Sequence, residues 1–187
     1  MAAPREPVHW SSNDIDTPSN TRMVITTDVR SPKVQQIATS PFVSLSWWMP
    51  PTMTQFRIRA KAFIFSPPKH SELLPFPARQ LEPAAGFDWE QERLRHWRKL
   101  TPELRASFLR PTPGSFLAED PTDWPEVLPH DLEASEHEEL IRLALSRFAL
   151  IILDPHEVDI CELARQPHSR TIYKLADGVW DARRVVP

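Results

Sequence analysis

The chain has 187 residues, a net charge of −3 and a pI near 6.2, which is long enough for one domain with its own core and lacks the basic surplus that draws proteins to nucleic acid or anionic membrane. Its single cysteine, Cys161, excludes an internal disulfide and a cysteine-based zinc site, and makes a reducing compartment, the cytoplasm, the expected location. Only 3 glycines stand against 21 prolines, which excludes glycine-rich phosphate loops of the Walker and Rossmann types and leaves side chains and a helix N-terminus to hold any phosphate.

Residues 1–21 are polar and proline-bearing, with no apolar h-region, and read as an irregular leader. No later stretch approaches the roughly 20 apolar residues of a membrane span. Arg22–Thr27 (RMVITT) is rich in β-branched residues and predicts a short strand. Ser31-Pro32 has the form of an N-cap followed by proline at the first helical position. The helix it opens should run to about Thr39, with Val34 and Ile37 inward. Phe42–Trp48 alternates, with Val43, Leu45 and Trp47 on one face, and Pro50-Pro51-Thr52 is a turn. Thr54–Phe65 is the clearest strand. Phe56, Ile58, Ala60, Ala62 and Ile64 share one face, and Gln55, Arg57, Arg59 and Lys61 the other. It should pair antiparallel with the strand before the turn. A proline-bearing loop covers Pro67–Gly86, a helix Asp88–Leu100, and a turn or short helix starts at Thr101-Pro102. Arg110–His130 reads as irregular surface. Ser135 to Glu138 has capping-box spacing and opens a helix to about Ser146. Strands follow at Phe148–Leu153, Val158–Leu163 and Thr171–Leu175, and Asp177-Gly178 is a hairpin turn returning through Val179–Val186. About six strands with two or three helices, and no βαβ alternation, predict an antiparallel barrel or sheet decorated by helices.

Three constellations could carry chemistry. In Thr26-Thr27-Asp28-Val29-Arg30-Ser31-Pro32-Lys33 a strand end delivers hydroxyls, then a cation, then a helix N-terminus with a second cation. Arg30 could fork onto phosphate oxygens and Lys33 add a point charge, or the segment is an ordinary strand-to-helix turn with exposed cations. The row Gln55, Arg57, Arg59, Lys61 is either a solvated sheet face or a barrel rim where Gln55 bonds a polar ligand edge. His168-Ser169-Arg170 is either a charged loop or a third contact. Other features read as structural. Of Trp47 and Trp48, on opposite sides of one strand, one should be core and the other could cover a ligand or interface. Trp89 and Trp97 read as packing residues, Cys161 as a buried inert thiol, and His137 with Glu138 as a helix face. No metal pair of histidines and no GxSxG elbow occurs.

Taken in order, the strand ending in TTDVRSPK, the helix, FVSLSWW, TQFRIRA, a helical connection containing RASF, VDICEL, HSR-x-x-Y and a terminal W-x-x-x-R-V-V-P resemble pyridoxamine 5′-phosphate oxidase and its FMN-binding relatives. The chain looks especially like the branch with a TD-x-RS-x-K segment followed by a Q-F-R-I strand. The resemblance covers about Arg22 to Pro187 and implies a split β-barrel with FMN at the interface of a homodimer. It implies Thr26 and Thr27 beside the flavin phosphate and ribityl chain, and Arg30, Ser31 and Lys33 at the phosphate. Gln55 would lie at the ring edge and Arg170 near the ring from the partner subunit. Arg105 and Ser107 fall in the connecting region that also reaches FMN. The implied activity is FMN-dependent oxidoreduction of a small molecule, without an identifiable catalytic acid or base, nucleic acid or metal.

Departures qualify that activity. One basic residue of the oxidase pattern is replaced by Gln166 in Gln166-Pro167-His168-Ser169-Arg170, and its tryptophan by Ile160 or Cys161. Both argue against oxidation of vitamin B6. Nothing in residues 1–21 reads as the family's earlier arginine-bearing strand, so the domain, 22–187, is expected to be N-terminally incomplete. A non-catalytic flavin-binding or degenerate dimeric scaffold, and a barrel interaction module without cofactor, remain alternatives.

Overall fold

A computed structural model describes residues 22–67, 86–117, 123–130 and 137–187. The 1–21 leader, most of the Pro67–Gly86 loop and the Ser135-Glu136 half of the capping box lie outside the described residues.

The elements follow the expected order: β1 (Met23–Asp28), α1 (Pro32–Thr39), β2 (Phe42–Met49), a 3-10 turn (Pro50–Thr52), β3 (Thr54–Phe65), α2 (Trp89–Lys99), α3 (Pro102–Ser107), α4 (Glu138–Arg147), β4 (Phe148–Glu162), β5 (Ser169–Ala176) and β6 (Val179–Val185). The six strands form one unclosed, mainly antiparallel sheet in the order β2-β3-β4-β5-β6, with β1 also paired to β4. Among the described residues four α-helices decorate it, where two or three were expected. Among the described residues no helix is long and apolar enough to cross a membrane.

The stretches read as two strands, Phe148–Leu153 and Val158–Leu163, are one continuous strand, β4. Its pairing explains how it tolerates a proline. β1 pairs with it from Phe148 to Leu153, and β5 pairs with it from Glu157 to Glu162. Pro155, which has no N–H to donate, falls in the gap between those two ladders. The β5–β6 hairpin closes through Asp177 and Gly178, both at positive φ (52° and 79°), as a right-twisted two-residue turn requires.

Two compact units can be told apart by packing. The first takes in Thr21–Val43 and Lys61–Asp154 and holds the core. Trp97, Phe108 and Phe148 meet with ring centroids 5.3–6.0 Å apart, and Leu128, Ile141, Leu150 and Ile152 close around them. Asp88 caps α2 by accepting from the amides of Glu90 (2.7 Å) and Gln91 (3.4 Å). From that helix the buried Arg93 donates to the carbonyls of Leu145 and Phe148, each at 3.0 Å. It thereby satisfies the α4–β4 junction while Glu90 balances its charge at 2.6 Å. Val34 and Ile37 are buried, as their spacing on α1 predicted.

The second unit takes in Ser44–Ala60 and Pro155–Pro187. Its strands are far less covered. Trp47 and Trp48 on β2, an edge strand of the sheet, are 49% and 43% exposed, so neither is the core residue expected. Trp47 instead lies against Phe56, centroids 5.7 Å apart.

Candidate functional site

The first candidate site is the turn joining β1 to α1. The Asp28 carbonyl accepts from the Ser31 amide at 3.0 Å. The Asp28 carboxylate accepts from the Arg30 amide at 2.8 Å. These two bonds make a tight turn from an aspartate and its own downstream backbone. The Val29 amide donates to the Arg147 carbonyl at 2.8 Å, anchoring the turn to the end of α4. Pro32 occupies the first helical turn, and Ser31 is the N-cap in extended conformation, but its hydroxyl makes no capping bond. That hydroxyl lies 3.2 Å from Thr27 Oγ1. Thr27 is buried, and the half-buried Thr26 precedes it, opposite Leu150 of β4. Lys33 is exposed in the first turn of α1, where the helix dipole favours an anion, although the Ser31 and Val34 amides already donate to the Asp28 and Ser31 carbonyls at 3.0 Å each and Pro32 has no N–H.

Arg30 does not stand free. Its Nε and Nη2 donate to the Asp28 carboxylate at 2.9 and 2.6 Å. Its Nη2 also reaches the Phe108 carbonyl at 3.3 Å, and Nη1 the Arg110 carbonyl at 3.1 Å. Asp28 was part of the sequence pattern but carried no assigned role, and it is only 9% exposed. Of the guanidinium's five N–H bonds, these contacts leave one, on Nη1.

Arg147 is a cation that the sequence reading missed. Its Nη1 donates to the carbonyls of Phe108 (2.8 Å) and Leu109 (3.3 Å). Burial, and then the neighbouring Arg30, lower its pKa, while Asp28 opposes that shift. The register that sets Asp28 opposite Phe148 brings it to the turn. Arg30 and Arg147 thus lie beside one carboxylate, Asp28, with the exposed Lys33 following in the first turn of α1.

Arg105 and Ser107 engage backbone near their own helix. Arg105 is 4% exposed. Its Nε donates to the Leu128 carbonyl at 2.8 Å and its Nη1 to that of Leu100, and burial lowers its pKa. Ser107 Oγ donates to the Leu104 carbonyl at 2.6 Å. The connecting region touches the turn through the carbonyls of Phe108 and Arg110, with Arg105 bracing the helix between them and α2.

The second candidate site is a shallow cleft of about 140 Å³ on the other unit, lined by Gln55, Arg57, Asp159, Cys161, Arg170 and Pro187. The two-residue period builds it. Gln55 and Arg57 share one face of β3, Asp159 and Cys161 one face of β4, and Arg170 sits opposite Cys161 on β5. Gln55 and Arg170 are therefore brought together within one chain. Asp159, 8% exposed, accepts from Arg170 Nε and Nη2 at 3.0 and 2.8 Å, and that bonding raises the guanidinium's pKa. Cys161 is half-buried and faces the cleft, unlike the buried thiol expected, because its face of the sheet is uncovered here. Arg59 lies outside, paired with Glu157 at 3.4 Å. His168 contacts the Arg165 carbonyl at 3.1 Å through Nδ1.

The donor set at the β1–α1 turn suits a phosphate monoester: two hydroxyls, a helix N-terminus, an exposed ammonium and two guanidiniums. Residues 7–66 match the family model described as the FMN-binding domain of pyridoxamine 5′-phosphate oxidase. That match includes the whole turn and Gln55, and opens inside the segment that read as a leader. No curated protein matches the chain. Among solved structures, a pyridoxamine 5′-phosphate oxidase-related, FMN-binding protein from Nostoc punctiforme PCC 73102 has 24% sequence identity, with 92% of this chain and 75% of that chain covered and a TM-score of 0.62. PhzG from Burkholderia lata 383, solved in complex with tetrahydrophenazine-1-carboxylic acid, has 17% identity, with 88% and 68% covered and a TM-score of 0.50. At these identities the two structures speak for the fold, a split barrel, and the matched segment for a likeness over residues 7–66. The chain therefore shares the fold of pyridoxamine 5′-phosphate oxidase-related, FMN-binding proteins and is similar in residues 7–66 to their FMN-binding domain.

Proposed function

We propose that this protein binds FMN and uses it in an oxidoreductase acting on a small molecule. The observation that carries the proposal is the β1–α1 turn, where hydroxyls, a helix N-terminus and clustered cations lie inside the segment matched by an FMN-binding family model. In this reading the Ser31 hydroxyl and the Lys33 ammonium bond the phosphate at the positive end of α1, with Arg30 contributing its remaining N–H. Thr26 and Thr27 lie toward the ribityl chain. Arg105 and Ser107 act through the helix that presents the Phe108 and Arg110 carbonyls. The ring edge is assigned, through the family resemblance, to Gln55 and to Arg170 of a second copy. Bound FMN would supply one- and two-electron chemistry. The chain's own part is to hold and orient it.

A homodimer is part of the proposal, supported by the paired exposed tryptophans on the β2 edge. The cytoplasm is the proposed location. Arg57 and Arg170 beside one cleft would suit an anionic substrate. A non-catalytic flavin carrier is a second reading, favoured by one observation: the only acidic side chain lining that cleft, Asp159, is committed to Arg170.

The test is the flavin absorption spectrum of the purified protein, before and after incubation with FMN, followed by anaerobic mixing with candidate reductants. Hydrogen bonds to charged groups contribute roughly 1.5–3 kcal/mol each. Arg30→Ala should therefore weaken FMN about 10- to 100-fold and leave riboflavin little changed. A protein that takes up no flavin contradicts the proposal. Flavin binding without reduction by any donor favours the carrier.

A further inference from the structure

We propose that Asp28 is a positioning residue that fixes Arg30 as a preset phosphate donor. This rests on the assignment of the flavin phosphate to the β1–α1 turn. An arginine beside a phosphate commonly forks onto it with two parallel N–H bonds. Here that fork is already closed on the Asp28 carboxylate, through Nε at 2.9 Å and Nη2 at 2.6 Å. The same carboxylate takes the Arg30 backbone amide at 2.8 Å. Side chain and main chain of Arg30 are therefore held by one anion, and the Phe108 and Arg110 carbonyls hold the far side of the guanidinium. One N–H, on Nη1, is left to address a ligand.

The arrangement has two physical consequences. The guanidinium loses little side-chain entropy on binding, because it is fixed beforehand. The turn also presents less net positive charge than its cations suggest, since Asp28 cancels one of them. Lys33 and Arg147 then supply most of the attraction, while Arg30 supplies direction. The competing arrangement is one in which Arg30 leaves Asp28 and forks onto the phosphate. In that case Asp28 competes with the ligand, and removing its charge should tighten binding.

The two arrangements predict opposite signs for one substitution. Asp28→Asn keeps an oxygen for the Arg30 amide and removes the charge that grips the guanidinium. The wild type, Asp28→Asn, Arg30→Ala and the double variant are titrated with FMN and with riboflavin, and their melting temperatures are compared. Asp28→Asn should weaken FMN about 10-fold with riboflavin unchanged. The double variant should bind FMN no more weakly than Arg30→Ala alone, because Asp28 acts through Arg30. Tighter FMN binding by Asp28→Asn, an unchanged affinity, or losses that multiply in the double variant would overturn the role of Asp28. Should Asp28→Asn fail to fold, a double variant that binds FMN more weakly than Arg30→Ala overturns the role of Asp28, since it removes both charges together. Failure of the wild type to bind FMN sinks the phosphate assignment itself, and this inference with it. A wild type that binds FMN while Asp28→Asn is unaffected overturns the role of Asp28 alone.

Discussion

The two halves of β4 are made of the same backbone and have opposite fates. From Phe148 to Leu153 all six residues are buried, so both faces of the strand are covered. From Glu157 to Glu162 the one buried residue is Asp159, a carboxylate bonded to an arginine. The first half reads FALIIL, a continuous apolar run suited to burial on two sides. The second reads EVDICE, alternating in a way that puts charge and thiol on one face and Val158 and Ile160 on the other. The core half fixes the position of the β1–α1 turn through the register of Asp28 with Phe148. The open half leaves its face available to ligand or partner. Burial is thus concentrated in one half of the strand, and substitutions in the two halves should differ in their cost to stability.

The largest separation should come from truncating aliphatic side chains in each half. Ile151→Ala, at a fully buried position, should cost about 2–5 kcal/mol in denaturant unfolding. Ile160→Ala, half-buried beside Tyr173 and Phe56, should cost under about 1.5 kcal/mol. Equal costs would break the comparison. Next comes Arg93→Met, which keeps the bulk and leaves the Leu145 and Phe148 carbonyls without their donor. It should cost about 1–3 kcal/mol and speed amide exchange at the start of β4, with no change in FMN affinity.

A smaller effect is expected at the open end. Trp47→Ser with Trp48→Ser should weaken self-association about 10-fold or more, as seen by sedimentation at micromolar concentration, with the melting point of the monomer little changed. This fits a loss of about 1.4 kcal/mol or more for aromatic interface contacts. A wild type that sediments as a monomer would contradict the dimer. The smallest effect concerns pH. The Arg95 guanidinium beside Glu92 holds that carboxyl below its usual range, with His96 adding to it and burial opposing. A depressed carboxylate pKa stabilises the fold above the unfolded value and loses that contribution as pH falls through the folded one. Glu92→Gln should therefore flatten the acid side of the stability profile slightly. A steeper profile would reverse the sign of this interaction.

Local patterns were readable in the sequence because their causes are local. Proline after Ser31, the alternation through β3 and the Asp177-Gly178 pair each specify an element with its nearest neighbours, and each stands where it was read. The failures trace to pairing between distant segments. Phe148–Leu153 and Val158–Leu163 read as two strands, and only the exchange of β1 for β5 along β4 lets one strand run through Pro155. Trp47 looked half-inward, and only the openness of its sheet exposes it. At the candidate site, the order TTDVRSPK was read as a strand-to-helix turn, and a turn stands there between β1 and α1. The partners of its arginine did not show, apart from Asp28 at two residues' distance. Phe108, Arg110 and Arg147 reach the turn through folding of the helical connection and α4, which carry no motif for it. Arg105 illustrates the reverse case. Its sequence context gave no sign that it is a buried brace on the Leu128 and Leu100 carbonyls.

The central claim is that the β1–α1 turn recognises the phosphate of FMN. Its most direct test compares the affinities of the wild-type protein for FMN and riboflavin, which differ only in that phosphate, by titration of the flavin absorbance. The account predicts that FMN binds at least about 10-fold more tightly, since even one charge-assisted hydrogen bond contributes about 1.5 kcal/mol. Equal affinity for the two flavins would contradict it.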